Sequence, residues 1–276
     1  MIHAASRQAL AEARARLNGL LETLDSRDGE AERTLAAELY AAADLLAGQP
    51  RLRRTLADPS TDASTRGGLA RTLLGSRLSP ASVTMVVAAV EQRWSSPWDL
   101  TDSLEILADD ALLASALKRG ELDSVEDELF RFERILAASG ELSSALDEAI
   151  VPAERRVQLL HAVLDGKASA ITVELVAHAV ASGRKRSVQL AIDDLLEASA
   201  MRRDRSVARV LSATELTAEQ TQRLASALSG MYGRPIDVRT AVDPAIRGGL
   251  VVRVGDEVID GTVASRLAAA RSALAG

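Results

Sequence analysis

Along most of the chain, apolar residues recur at steps of three and four, the spacing of one face of an α-helix. Leu10, Ala13, Leu17, Leu21 and Leu24 form one such stripe near the start, and Leu129, Phe132 and Leu136 form another in mid-chain. Ser79-Pro80 places a capping serine ahead of a proline that the first helical position tolerates. After Arg205 the period changes. Val207 to Leu211 reads as a short strand, and Pro235 to Arg239 and Leu250 to Val254 alternate apolar and polar residues in the strand period. Between them Thr217-Ala218-Glu219-Gln220 is a capping-box start for a helix with Leu224, Leu228 and Met231 on one face, ended by Gly233. Gly255-Asp256 turns the chain between two strands. Asp260 or Thr262 then caps a closing helix whose buried stripe is Val263, Leu267, Ala270 and Leu274.

The helical part repeats itself. Without a gap, Glu38-Leu39 meets Glu128-Leu129, and Leu45-Leu46-Ala47 meets Ile135-Leu136-Ala137, ninety residues on. In the same register Leu52 and Leu56 meet Leu142 and Leu146, Leu69 and Leu74 meet Leu159 and Leu164, and Val83, Val86, Ala89 and Val90 meet Val173, Val176, Ala179 and Val180. Asp58-Pro59 and Val151-Pro152 punctuate equivalent loops. The period exceeds the ~34–47 residues of helical solenoid repeats, so each copy reads as a small bundle of several helices. The expected fold is mainly α: two tandem related helical bundles, residues 1–103 and 104–205, followed by a small α/β carboxy-terminal module, residues 206–276.

Composition narrows the chemistry. With 47% apolar and 26% charged residues in 276, the chain reads as a globular protein, and with only 2% aromatics its core must be aliphatic. There is no cysteine, hence no disulfide, thiolate nucleophile or Cys-based zinc site. The longest apolar run, Val83 to Val90, falls far short of the roughly eighteen residues a membrane span needs, so no direct membrane insertion is expected. Neither G-x-x-x-x-G-K-[ST] nor G-x-G-x-x-G occurs, His3, His161 and His178 lack metal-ligand spacing, and no nucleophile elbow is present. Asp109-Asp110 and Asp193-Asp194 read as solvated charge or helix-terminus residues and not as an acid/base pair. No catalytic residue, cofactor or metal is expected. Arg184-Lys185-Arg186 and Arg202, Arg203 and Arg205 carry the alternative of a helical adaptor that contacts nucleic acid, but they lack interleaved aromatics and sit in a chain of net charge −6.

The most specific stretch is the end of the chain. Asp243 and the glycine pair Gly248-Gly249 precede the strand marked by Leu250 and Val252. Gly255 turns the chain, and Asp260-Gly261 leads into Ser265-Arg266-Leu267. Ahead of a strand, such glycines serve a positive φ or a close backbone approach and cradle no phosphate. Together these residues resemble the carboxy-terminal motif of the delta subunit of F-type ATP synthases, whose mitochondrial counterpart is the oligomycin-sensitivity-conferring protein. The stretches Asp123 to Phe132 and Pro152 to Arg156 also look like that family's amino-terminal domain, and the long form with an added bundle is similar to actinobacterial delta subunits. The resemblance implies a non-catalytic stator, peripheral to the cell membrane on its cytoplasmic side. Its second bundle would bind amino-terminal helices of the alpha subunits, and its carboxy-terminal module would hold the b subunits, with no nucleic acid bound. The first bundle is an extra copy whose partner the resemblance leaves open; bracing of the stalk is the role expected of it here.

Overall fold

The structure is a computed structural model and describes residues 4–24, 28–182, 187–205, 207–232, 236–243, 246, 248–254 and 257–263. Contacts along the chain divide it into two compact units, 1–199 and 200–276.

The first unit is helical. It opens with α1 (Ala4–Thr23), α2 (Glu30–Gly48), α3 (Pro50–Leu56), α4 (Ala63–Leu74) and α5 (Pro80–Glu91), then the long α6 (Pro97–Arg119). The same order recurs as α7 (Leu122–Ala138), α8 (Gly140–Asp147), α9 (Ala153–Leu164), α10 (Ala170–Ser182) and α11 (Val188–Arg205). Local chemistry sets the boundaries. Ser79 accepts a hydrogen bond from the Ser82 N–H ahead of Pro80, Asp62 accepts from Ser64 N–H at the start of α4, and Gly120 closes α6 in a left-handed conformation with φ 71°.

The ninety-residue register holds in three dimensions. Oε2 of Glu38 in α2 accepts hydrogen bonds from Ser79 N–H (2.9 Å) and Oγ (2.6 Å) at the head of α5. Oε2 of Glu128 in α7 accepts from Ser169 N–H and Oγ (both 2.9 Å) at the head of α10. Burial pushes both carboxyls up, but the hydroxyl and amide donors outweigh it, and both titrate below the usual glutamate value.

The copies are not separate bundles joined by a linker. The buried stripe of α1, Leu10, Ala13, Leu17 and Leu21, recurs ninety residues on in α6 as Leu100, Ser103, Leu107 and Ala111, all buried. Helix α6 therefore closes the first copy and opens the second. The boundary expected at 103/104 lies inside it. One continuous apolar cluster runs from Ala9 to Ala198, with Leu104, Leu112 and Leu113 of α6 buried within it. A helix buried on more than one side must find partners for its polar residues too. Asp109 and Asp110, expected to be solvated, are instead engaged: Asp109 accepts from the Tyr40 hydroxyl (2.5 Å) and Asp110 pairs with Arg14 (2.8 Å).

The second unit is the small α/β module. Strand β1 (Val207–Ser212) is followed by α12 (Ala218–Tyr232), β2 (Asp237–Val242), β3 (Leu250–Val254) and β4 (Glu257–Asp260) in a sheet of order β2-β1-β3-β4. Strands β1 and β2, joined through α12, are parallel, and the other pairs are antiparallel. Thr217 and Gln220 exchange reciprocal bonds at the head of α12, the capping box expected there. Ala208, Val210, Leu228, Tyr232, Ile236, Val252 and Val254 form its core. Met231, expected on one face with Leu224 and Leu228, is 63% exposed, and Tyr232 takes the inward position at the end of the helix.

Candidate functional site

Within the module, the signature residues act on the backbone. Gly248 and Gly249 have φ of 138° and 87°, and a Cβ on Gly249 would fall 2.4 Å from the Gly261 carbonyl oxygen. No L-side chain fits there. The close approach lets Gly261 N–H donate to Leu250 O (2.9 Å) and Val263 N–H donate to Gly248 O (3.0 Å), so the chain leaving β4 is fastened beside the start of β3. Asp243 extends the sheet edge by donating its N–H to Ser212 O (2.8 Å), and its carbonyl accepts from Ile246 N–H. The Asp260 carboxylate accepts from Thr262 N–H (2.9 Å), which holds it below the usual aspartate range. Leu250 is half-buried and Val252 buried. Val263, expected in a buried stripe, is half-exposed. Gly255, Ser265, Arg266 and Leu267, and the helix expected there, lie outside the described residues.

In the helical unit, the two copies meet through a polar and aromatic seam that sequence reading missed. Tyr40 of α2 stacks on His178 of α10 with centroids 3.5 Å apart and planes 7° off parallel. Beside it Arg33 of α2 forms a bidentate pair with Glu174 of α10, Nε to Oε2 at 3.1 Å. Burial pushes the Tyr40 hydroxyl well above its usual value, with Asp109 adding to the shift. Burial lowers His178, against the opposing pull of Asp44 and Glu174, so the ring stays neutral against Tyr40. The only trace in the sequence was the departure of Tyr40 and His178 from the repeat, whose counterparts are Phe130 and Ala88.

Other chemistry is sparse. Among the described residues, no group of three or more His, Asp or Glu could hold a metal ion, and no helix is long and apolar enough to cross a membrane. His161 is exposed on α9, facing a shallow cleft between α9 and α10. His3 and the run Arg184-Lys185-Arg186 lie outside the described residues, while Arg202 is buried, and both it and Arg203 are engaged by protein groups. A phosphate contact needs a cation presented to solvent, which Arg202 is not, whereas Arg203 is exposed.

Comparison with known proteins assigns this architecture. The family model described as ATP synthase delta (OSCP) subunit matches residues 109–274, beginning inside α6. The chain is 43% identical over 275 residues to the ATP synthase subunit delta of Streptomyces griseus, covering 100% of both chains. It is 44% identical to that of Parafrankia sp. over 98% of each chain, and 41% identical to that of Rhodococcus opacus over 99% of each. A chain of the Toxoplasma gondii mitochondrial ATP synthase hexamer aligns at 20% identity with a TM-score of 0.29, over 61% of this chain and 95% of that one. The chain belongs to the ATP synthase delta (OSCP) subunit family, in the long form shared end to end with its actinobacterial relatives.

Proposed function

We propose that the chain is a non-catalytic stator of a proton-translocating F-type ATP synthase, held peripherally at the cytoplasmic side of the cell membrane. In this reading the second copy, α6 to α11, receives amino-terminal helices of the alpha subunits, and the carboxy-terminal module holds the b subunits of the peripheral stalk. The first copy braces the assembly. The observation that carries the reading is the end-to-end match to ATP synthase delta subunits. Two structural features support it. Helical bundles receive amphipathic helices through anchors at i, i+3, i+4 and i+7. The shared α6 and the Tyr40–His178 seam also give the helical unit one continuous core, the stiffness that resisting rotor torque requires.

The test is titration of the purified full chain into the isolated catalytic head. Stoichiometric binding is expected, lost when the alpha amino termini are removed. Absence of binding to an intact head overturns the reading.

A further inference from the structure

The two copies differ most sharply at one arginine. Arg66 of α4 and Arg156 of α9 are equivalent in the repeat and both are buried, at 3% and 7% exposure. The Arg66 guanidinium is saturated by five backbone carbonyls. Nε donates to Val90 O (3.1 Å), Nη1 to Asp58 O (3.1 Å) and Thr61 O, and Nη2 to Glu91 O (3.1 Å) and Gln92 O (3.0 Å). It thereby clamps the end of α5 to α4. Arg156 donates only from Nη1, to Leu146 O (3.1 Å), and its Nε is buried without a partner.

The residues beside the two arginines also differ. A Cβ on Gly67 would come within 2.5 Å of Glu91 Oε1, so the Glu91 side chain lies directly over the glycine. Its counterpart is the branched Val157, half-buried against the helical core. The guanidinium turns instead toward a cleft of about 410 Å3 between α8 and α9, lined by Arg156, Arg155, Ser144, Glu148, Val151 and Leu159. In the chain between the lining residues Glu148 and Val151, Ile150 is 90% exposed, where the first copy has Ser60 bonded to Asp58. A guanidinium nine-tenths buried with one hydrogen bond is costly to keep, and a buried polar group left unpaired calls for a partner.

We propose that the α8–α9 cleft binds a carboxylate carried between apolar side chains on another subunit of the same complex. Arg156 takes the carboxylate in bidentate fashion, Arg155 adds charge at the rim, and Ile150 and Leu159 receive the flanking apolar groups. The apolar walls and the planar fork of the guanidinium favour a side-chain carboxylate over a free, fully hydrated anion. The proposal rests on the stator reading for the identity of the complex.

The experiment uses the assembled ATP synthase in native membranes, carrying the full chain with Arg156→Lys, treated with a zero-length carbodiimide that joins an amine to a carboxylate. A cross-link from the introduced amine to an Asp or Glu of another subunit is expected, and it is absent with Arg156→Met. Adding Ile150→Ser to Arg156→Lys should lower the yield by roughly tenfold, the loss expected of one apolar anchor. Melting of the purified variants should stay close to that of the parent. If the chain resides in the complex but cross-links to no other subunit, or only to its own Glu148, the proposal is overturned and the stator reading stands. A chain that does not assemble with the complex overturns both. Millimolar inorganic phosphate serves as a control ligand: if it raises the melting temperature of the parent but not of Arg156→Met, the site takes a free anion and the proposal is overturned.

Discussion

Arg66 and Arg156 sit at the same place in two copies of one bundle, yet the first is held by five backbone carbonyls and the second by one. The copies diverge again on α2 and α7. The inner stripe is shared, Leu35, Leu39, Ala42 and Leu46 against Val125, Leu129, Phe132 and Leu136, all buried. On α2 a second stripe of Ala36, Tyr40 and Ala43 is also buried, whereas α7 has Glu126, Phe130 and Glu133, with Phe130 half-exposed. The first copy has both faces of this helix covered by the rest of the chain. The second keeps one face open. What duplication preserved is what each bundle needs for its own core and its helix heads; what drifted is what each copy meets outside itself.

The largest test of this contrast is a matched pair of variants. Arg66→Met leaves five carbonyls short of a donor at the α4–α5 junction and should cost about 3–5 kcal/mol, whereas Arg156→Met should cost about 1 kcal/mol or less. Urea unfolding followed by circular dichroism measures both, and equal losses would break the comparison. Next in size, Tyr40→Ala removes a buried ring, its stack on His178 and the hydroxyl that serves Asp109, for about 3 kcal/mol, while Phe130→Ala should stay below about 1 kcal/mol. A large loss at Phe130 would show that α7 is covered as α2 is.

The smallest effect is a pH dependence confined to the seam. Burial places the His178 pKa below its ordinary value of 6.5, although Asp44 and Glu174 oppose the shift. The unfolded chain therefore takes up the proton first. The stability that His178 contributes is present above the ordinary value and is lost as pH falls through the lowered folded one. Thermal melts taken from about pH 7.5 down to 5 should lose part of this slope in His178→Phe, which keeps a ring against Tyr40 but cannot titrate. An unchanged slope would remove His178 from the account.

Much of this was legible in the residues. Apolar stripes at helical spacing, the serine and threonine caps, the capping box at Thr217 and the alternation through Leu250, Val252 and Val254 all depend on neighbours within a few positions. The ninety-residue register was legible as well, because both copies must bury the same stripes. Two readings went astray for one reason. Asp109 and Asp110 looked solvated because nothing local reveals that α6 is flanked by both copies. Met231 looked buried because its spacing from Leu224 and Leu228 fits a helix, but the packing of α12 on the sheet turned Tyr232 inward instead. The stripe Leu100, Ser103, Leu107, Ala111 repeats that of α1, yet its meaning, one helix serving two copies, depends on which helices lie beside it.

By itself, then, the sequence determined the mainly helical class with a small α/β end, the duplication and the glycine-bearing motif near the end of the chain, since backbone preference and hydrophobic period act over short distances. Tertiary structure alone decided that the copies share α6, that Tyr40 and His178 join them, and that Arg66 is closed while Arg156 is open. Those outcomes turn on contacts between residues far apart in the chain, such as Tyr40 with His178 and Arg66 with the carbonyls of Val90, Glu91 and Gln92. A hydrophobic pattern specifies which side of a helix is buried; only the assembled fold specifies against what.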